Sequence, residues 1–220
     1  MASPKRVGVV LAGCGFLDGA EIHEATCTLL SLDRRGATLV AAAPDVPQLH
    51  VVDHVKGEPA VGARSVLVES ARIVRGKIQD LAKVQAEDLD ALVFPGGYGA
   101  AKNLCTFAVD GRAMRVQPEV ERIVRELRAA GKPMGFICIA PVIAAKVLGA
   151  EHPRLTIGND GDTVAAIESL GARHVECRVD EICVDERLKL VSTPAYMLGP
   201  WIAPVAAGID KLVSAVLEMA

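Results

Sequence analysis

Short, uniformly apolar runs alternate with stretches whose apolar positions recur every three or four residues, from one end of the chain to the other. The run at 7–12 reads as a first strand. Across 21–32, Ile22, Ala25, Leu29 and Leu30 fall on one helical face, and that stripe stops near Gly36. The chain then returns as a second strand at 37–43. From 44 to 80 the pattern loosens into a short strand, a turn, a short helix and another strand, which reads as an insertion. Regularity resumes at 91–94, where an apolar run ends in Pro95-Gly96-Gly97-Tyr98-Gly99. Residues 118–130 give a clear amphipathic helix with Pro118 in its first turn and Gly131 after its end. A strand at 134–137 runs into Cys138, and a helix apolar nearly all round begins at Pro141 and stops at Gly149. Beyond it the pattern predicts a strand at 155–157, a helix at about 162–170, two hairpin-like strands, and a last helix with a stripe of Ile202, Val205, Ile209, Leu212, Val213 and Val216.

Strand and helix in alternation predict an α/β fold, a mainly parallel sheet covered by helices on both faces. At 220 residues the chain is expected to form one domain over 1–220, with the insertion at 44–80. Ligand sites of such sheets lie beyond the carboxyl ends of the strands, where the glycine-rich loop at 95–99 and Cys138 fall.

Composition narrows the function. A formal charge of -3 with mixed signs gives no basic field, and 3 % aromatic residues leave few rings for stacking bases, so no nucleic acid partner is expected. The apolar start is too short for a signal core or a membrane span, and no membrane association is expected. The six cysteines (14, 27, 105, 138, 177 and 183) form no CxxC pair and have no histidines at zinc-ligand spacing, which reads as a reduced, cytoplasmic, metal-free protein. Gly13-Cys14-Gly15 with Gly19 resembles a dinucleotide loop, but the third glycine comes one place too late, so no cofactor is expected.

Among the cysteines, Cys138 stands at a strand-to-helix turn, where the following helix aims unpaired N–H groups at the sulfur. A helix field of roughly 0.3–2 kcal/mol is expected to lower the thiol from its usual value near 8.5. Cys14 either shares that cleft or fills a tight turn; Cys27 and Cys105 read as packing, and Cys177 and Cys183 as late-strand thiols. Glu24 on the first helix is placed to reach the cleft and shuttle a proton, unless it faces solvent. Glu21 and His23 on the same turn are rivals. Gly96 and Gly97 offer backbone amides to an oxyanion. Lys102 and Asn103 border the cleft and read as a surface lysine and a helix cap.

The segments GCGFLDGAEIHEA, FPGGYGAAKNL, KPMGFICIAP, LTIGNDGDT and STPAYML, in this order along nearly the whole chain, resemble the ElbB-type branch of the ThiJ/PfpI superfamily. That branch is named for enhancing lycopene biosynthesis. The resemblance implies a flavodoxin-like three-layer sandwich of the class I glutamine amidotransferase-like type, a cysteine on a nucleophile elbow, and a homodimer. It also implies a cytoplasmic location in bacteria and a mitochondrial one in eukaryotic relatives. Carried over by residue, the elbow cysteine is Cys138, Gly96 and Gly97 form the oxyanion loop with Ile139 beside the cysteine, and the helix-one glutamate, twelve residues before Gly36, is Glu24. Many relatives place a histidine after the next strand, where this chain has Gly158-Asn159-Asp160; His152 precedes that strand.

An absent imidazole disfavours amidase, protease and amidotransferase-like chemistry, since acyl transfer to an amine or water normally needs an imidazole near the thiol, and dicarbonyl chemistry asks for less. The implied activity is a glyoxalase that turns glyoxal into glycolate through a hemithioacetal on Cys138, without a cofactor, on a small dicarbonyl substrate. An apparent deglycase activity on early glyoxal adducts would use the same steps. The alternative is a non-enzymatic redox sensor or regulatory protein in which Cys138 is oxidised.

Overall fold

The computed structural model describes residues 3–220. The chain runs β1 (Arg6–Val10), α1 (Ile22–Arg34), β2 (Thr38–Ala43), a hairpin of β3 (Val52–Asp53) and β4 (Glu58–Pro59), α2 (Val66–Ile73), β5 (Gln79–Asp80) and β6 (Ala91–Phe94). It continues with α3 (Tyr98–Lys102), α4 (Phe107–Asp110), α5 (Pro118–Ala129), β7 (Met134–Ile137), α6 (Pro141–Leu148), β8 (Arg154–Leu155), α7 (Gly161–Ser169), β9 (Arg173–His174), β10 (Cys183–Asp185), β11 (Leu190–Thr193) and α8 (Ile202–Met219).

Seven strands form the central sheet in the order β10-β11-β7-β6-β1-β2-β5. All neighbours are parallel except β10 on β11. From β1 the chain moves one way to β2 and later the other way from β6 to β7, so right-handed crossovers place α1 and α5 on opposite faces. Helix α8 lies with α1, and α5 packs on α6. β6 and β7 are buried at every position, as strands covered on both sides must be. Phe94 and Phe136 stack across these two strands with ring centroids 5.1 Å apart. This is the expected flavodoxin-like α/β architecture, and its switch point, between β1 and β6, opens a crevice at the strands' carboxyl ends.

Three expectations shift. Only part of the apolar stripe of α1 turns inward: Ala25 is buried and Leu29 half-buried against the core, but Ile22 and Leu30 are exposed, while Glu24, Thr28, Ser31 and Leu32 are buried. Polar residues fit there because they are bonded, Thr28 Oγ1 donating to the Glu24 carbonyl and Ser31 Oγ to Asp210 Oδ1 on α8. The strand expected at 155–157 is β8, which pairs with β9 in a separate two-stranded sheet. Ile202 of the last stripe is 47 % exposed. The segment 44–80 supplies the β3–β4 hairpin and α2, and ends in β5, an edge strand of the central sheet. Among the described residues, no helix is long and apolar enough to cross a membrane.

Candidate active site

Cys138 follows β7 directly and takes a positive φ of 61°, a conformation that costs a non-glycine residue energy and throws its side chain out of the strand line into the crevice. Its amide donates to the Thr193 carbonyl at the end of β11 over 3.0 Å, which fixes the turn to the sheet. Pro141 opens α6 three residues later. The residue is 7 % exposed.

Glu24 reaches the same point from α1. It is fully buried, Oε2 accepting from the Gly96 amide at 2.9 Å and Oε1 from the Tyr196 amide at 3.3 Å. Tyr196 can donate there because Ala195 before it adopts a positive φ of 45° at the end of β11. Burial, reinforced by the charge of Glu21, pushes the Glu24 carboxyl up to about 8, against the opposing pull of its hydrogen bonds. Burial and the neighbouring Glu24 charge also push the Cys138 thiol well above its ordinary value. This reverses the expected lowering by the helix field: amides of Gly97 and Ile139 do pull it down, but removal from water outweighs them.

The glycine loop divides its labour. Gly97, at φ 92°, turns its amide to the sulfur together with Ile139. Gly96, expected as a second oxyanion donor, instead gives its amide to Glu24. Its lack of a side chain is a packing demand, since a Cβ there would press on Cys138 Cβ and lie 2.7 Å from Glu24 Oε2. The loop is stitched to the one after β1 by Glu21 N to Gly96 O (2.9 Å), Tyr98 N to Phe16 O (2.7 Å) and Gly99 N to Gly19 O (2.9 Å).

A cavity of about 750 Å³ opens over Cys138 and Ile139, and its lining is mostly apolar. Of the rivals to Glu24, Glu21 caps α1 through the Glu24 amide and lines the cavity. His23 also lines it, its Nδ1 2.8 Å from the Tyr196 hydroxyl, so the cavity holds an imidazole although none follows β8. His152 sits elsewhere, against the Gly171 carbonyl.

Other candidates fall outside. Cys14 does not line the cavity; its charged neighbours are Glu69, Arg72, Asp18 and Arg64. The loop amides around it close on themselves, Gly15 N to Ala20 O and Gly19 N to Gly15 O, with Gly13 N donating to Ser70 Oγ. Lys102 Nζ donates to the Leu17 carbonyl over the Tyr98 ring rather than lying free at the surface. Asn103 is a buried clamp, Nδ2 donating to the Ala12 and Asp18 carbonyls and Oδ1 accepting from Leu49 N. Burial raises Cys105 to about 12 and Cys183 to about 11. The contributions of Ala195, Tyr196 and the cavity wall of Phe16, Tyr98, Phe107 and Met197 carry no local sequence signal.

No protein-family model matches the chain. It is 51 % identical over 225 aligned positions to glutamine amidotransferase-like class 1 domain-containing protein 3, mitochondrial, of Homo sapiens, covering 97 % of this chain and 83 % of that one. It is 49 % identical to the ES1 protein homolog, mitochondrial, of Rattus norvegicus, covering 97 % and 84 %. The crystal structure of an isoprenoid biosynthesis protein with amidotransferase-like domain from Ehrlichia chaffeensis superposes with a TM-score of 0.91 at 37 % identity, covering 98 % and 99 %. A ThiJ/PfpI domain protein from Brachyspira murdochii shares the fold, with a TM-score of 0.63 at 15 % identity and coverage of 100 % and 99 %.

Proposed function

The chain belongs to the family of glutamine amidotransferase-like class 1 domain and ES1 proteins, and from that premise we propose that it is a cofactor-free glyoxalase acting on small dicarbonyls. In the proposed reaction Cys138 Sγ bonds to one carbon of glyoxal while its proton passes through Glu24 to the former carbonyl oxygen, giving a hemithioacetal. The amides of Gly97 and Ile139 steady the oxyanion as it forms. Glu24 then takes the hydrogen from the sulfur-bearing carbon as a proton and returns it to the neighbouring carbon through an enediol. One carbon is oxidised and the other reduced, so no external oxidant is needed. Water cleaves the resulting thioester, releasing glycolate and the thiol.

The observation that carries this reading is a buried carboxyl, raised to about 8, adjoining a cysteine that lines a cavity. A group that titrates near working pH is suited to accept and return one proton in turn. A redox sensor requires a thiol open to solvent oxidants, whereas Cys138 is 7 % exposed. The test is glycolate formation from glyoxal followed by proton NMR. Wild type should turn over, and Cys138→Ser and Glu24→Gln should each lose at least 100-fold; wild-type protein that makes no glycolate overturns the proposal.

A further inference from the structure

Resting on Cys138 and Glu24 as the reacting pair, we infer that the cavity selects carbonyl compounds with an apolar, aromatic-sized body and no negative charge. Its volume of about 750 Å³ lies in the range of pockets for drug-sized ligands, and glyoxal, with four non-hydrogen atoms, leaves most of it empty. The walls beside the sulfur are side chains that otherwise face water: Phe16 is 48 % exposed and Tyr98 54 %, with Phe107 and Met197 completing the surface. An apolar body would cover these rings, and favourable burial of that kind scales with the area removed from water.

Charge sets the second condition. No lysine or arginine lines the cavity among the described residues, while the carboxylates of Glu21 and Asp160 do. Hydrogen bonds from Thr163 hold the Asp160 carboxyl below its usual range, so it stays ionised. His23, the one lining base, is engaged with the Tyr196 hydroxyl and lies 3.8 Å from Glu21. Lys102 rests over the Tyr98 ring but donates to the Leu17 carbonyl and is not part of the lining. A carboxylate or phosphate on the substrate would therefore lose water and meet two carboxylates with no lysine or arginine in return.

The test compares kcat/KM for phenylglyoxal, 4-carboxyphenylglyoxal and glyoxal. The neutral aryl compound should exceed its carboxylate by at least tenfold. In Phe16→Ala the phenylglyoxal-to-glyoxal ratio should fall at least fivefold, and in Phe16→Lys, which sets an ammonium in the wall, the neutral-to-anion ratio should fall at least fivefold. Because Phe16 is half exposed, neither change threatens the fold. A carboxylate accepted within twofold of the neutral compound, or ratios unmoved in both variants, overturns the inference. A second measurement does not depend on turnover: alkylation of Cys138 by iodoacetamide against iodoacetate, each rate divided by that of N-acetylcysteine. A neutral preference of tenfold there, with no oxoaldehyde converted, would remove the glyoxalase reading and leave the selectivity standing; turnover with no preference in either assay would do the reverse.

Discussion

Gly96 gives its amide hydrogen to Glu24 Oε2 over 2.9 Å while its bare Cα lies against the side chain of Cys138. One residue thus holds the carboxyl in place and allows the thiol to approach it. In Gly96→Ala the new methyl would lie 2.7 Å from Glu24 Oε2 and 2.8 Å from the Ile137 carbonyl, with Cys138 Cβ nearer still. Neither backbone can retreat without moving β7. We expect a loss of about 1–3 kcal/mol of stability, as overpacked cores show, and a fall of at least 100-fold in glycolate formation. Urea denaturation and the NMR assay check both, and an active, undiminished variant would mean that the loop yields.

The pH profile should report the Glu24 carboxyl. Glu24 must be ionised to receive the thiol proton, and its folded value is about 8. The rate should therefore rise from pH 6 to 9 with its inflection near 8, instead of reaching a plateau by pH 6 as an ordinary carboxylate base would. In Glu24→Gln the limb should vanish. The thiol should also ionise at lower pH than in wild type, because the charge that pushes it upward has gone. Iodoacetamide alkylation of Cys138 across the same range measures this second effect, and a variant thiol that titrates above the wild-type one contradicts the assignment.

Stability should carry the same signature with a definite sign. In the unfolded chain Glu24 ionises near 4.5, but in the folded protein it keeps its proton up to about 8. Between these limits the native state binds more protons than the unfolded one, so raising the pH favours unfolding. The destabilisation is absent below about 4.5 and complete above about 8, each pH unit of that interval counting about 1.4 kcal/mol. Glu24→Gln removes it, with a pH-independent cost from placing an amide N–H against one of the two backbone donors. The difference in unfolding free energy between variant and wild type should therefore swing toward the variant by several kcal/mol from pH 5 to pH 8.5. Parallel curves for the two proteins would show that Glu24 ionises normally.

The order of elements, the parallel sheet and the elbow at Cys138 were legible because each rests on local pattern: an apolar run, a glycine stop, a proline in a first turn. The inward face of α1 was not. Hydrophobic spacing favoured Ile22 and Leu30, whereas the fold buries Thr28 and Ser31, whose cost falls once Asp210 and the Glu24 carbonyl accept their hydrogens. Glu24 was a candidate from its place on the first helix beside the cleft, but only its distance from Gly36 in related sequences favoured it over Glu21, which is information about a family and not about charge or hydropathy. The thiol's ionisation was misread for a similar reason: sequence displays the helix that follows Cys138 but not the burial that outweighs it. Nor does an alanine announce a positive φ, so the amide that Tyr196 lends to Glu24 across 172 positions had no local sign.

Asn103 offers a test of how the loops, as distinct from the reacting pair, are held. Its side chain joins three backbone groups from two loops: the Ala12 and Asp18 carbonyls in the β1–α1 loop that carries Phe16, and the Leu49 amide from the segment after β2. The residue is 8 % exposed, so in Asn103→Ala the Ala12 carbonyl and the Leu49 amide lose their partner with little water to replace it, while the Asp18 carbonyl keeps Gln48 Nε2. At about 1–3 kcal/mol for each of these two buried groups left unbonded, the variant should lose about 2–6 kcal/mol, more than a surface helix cap would cost. Glu24, Gly96 and Cys138 take none of their hydrogen bonds from Asn103, so the inflection near pH 8 should persist in the folded variant while KM for bulky oxoaldehydes rises as the Phe16 wall loosens. A stability change below about 0.5 kcal/mol in urea denaturation, the ordinary range for a surface substitution, would instead show that the two loops hold together without the clamp.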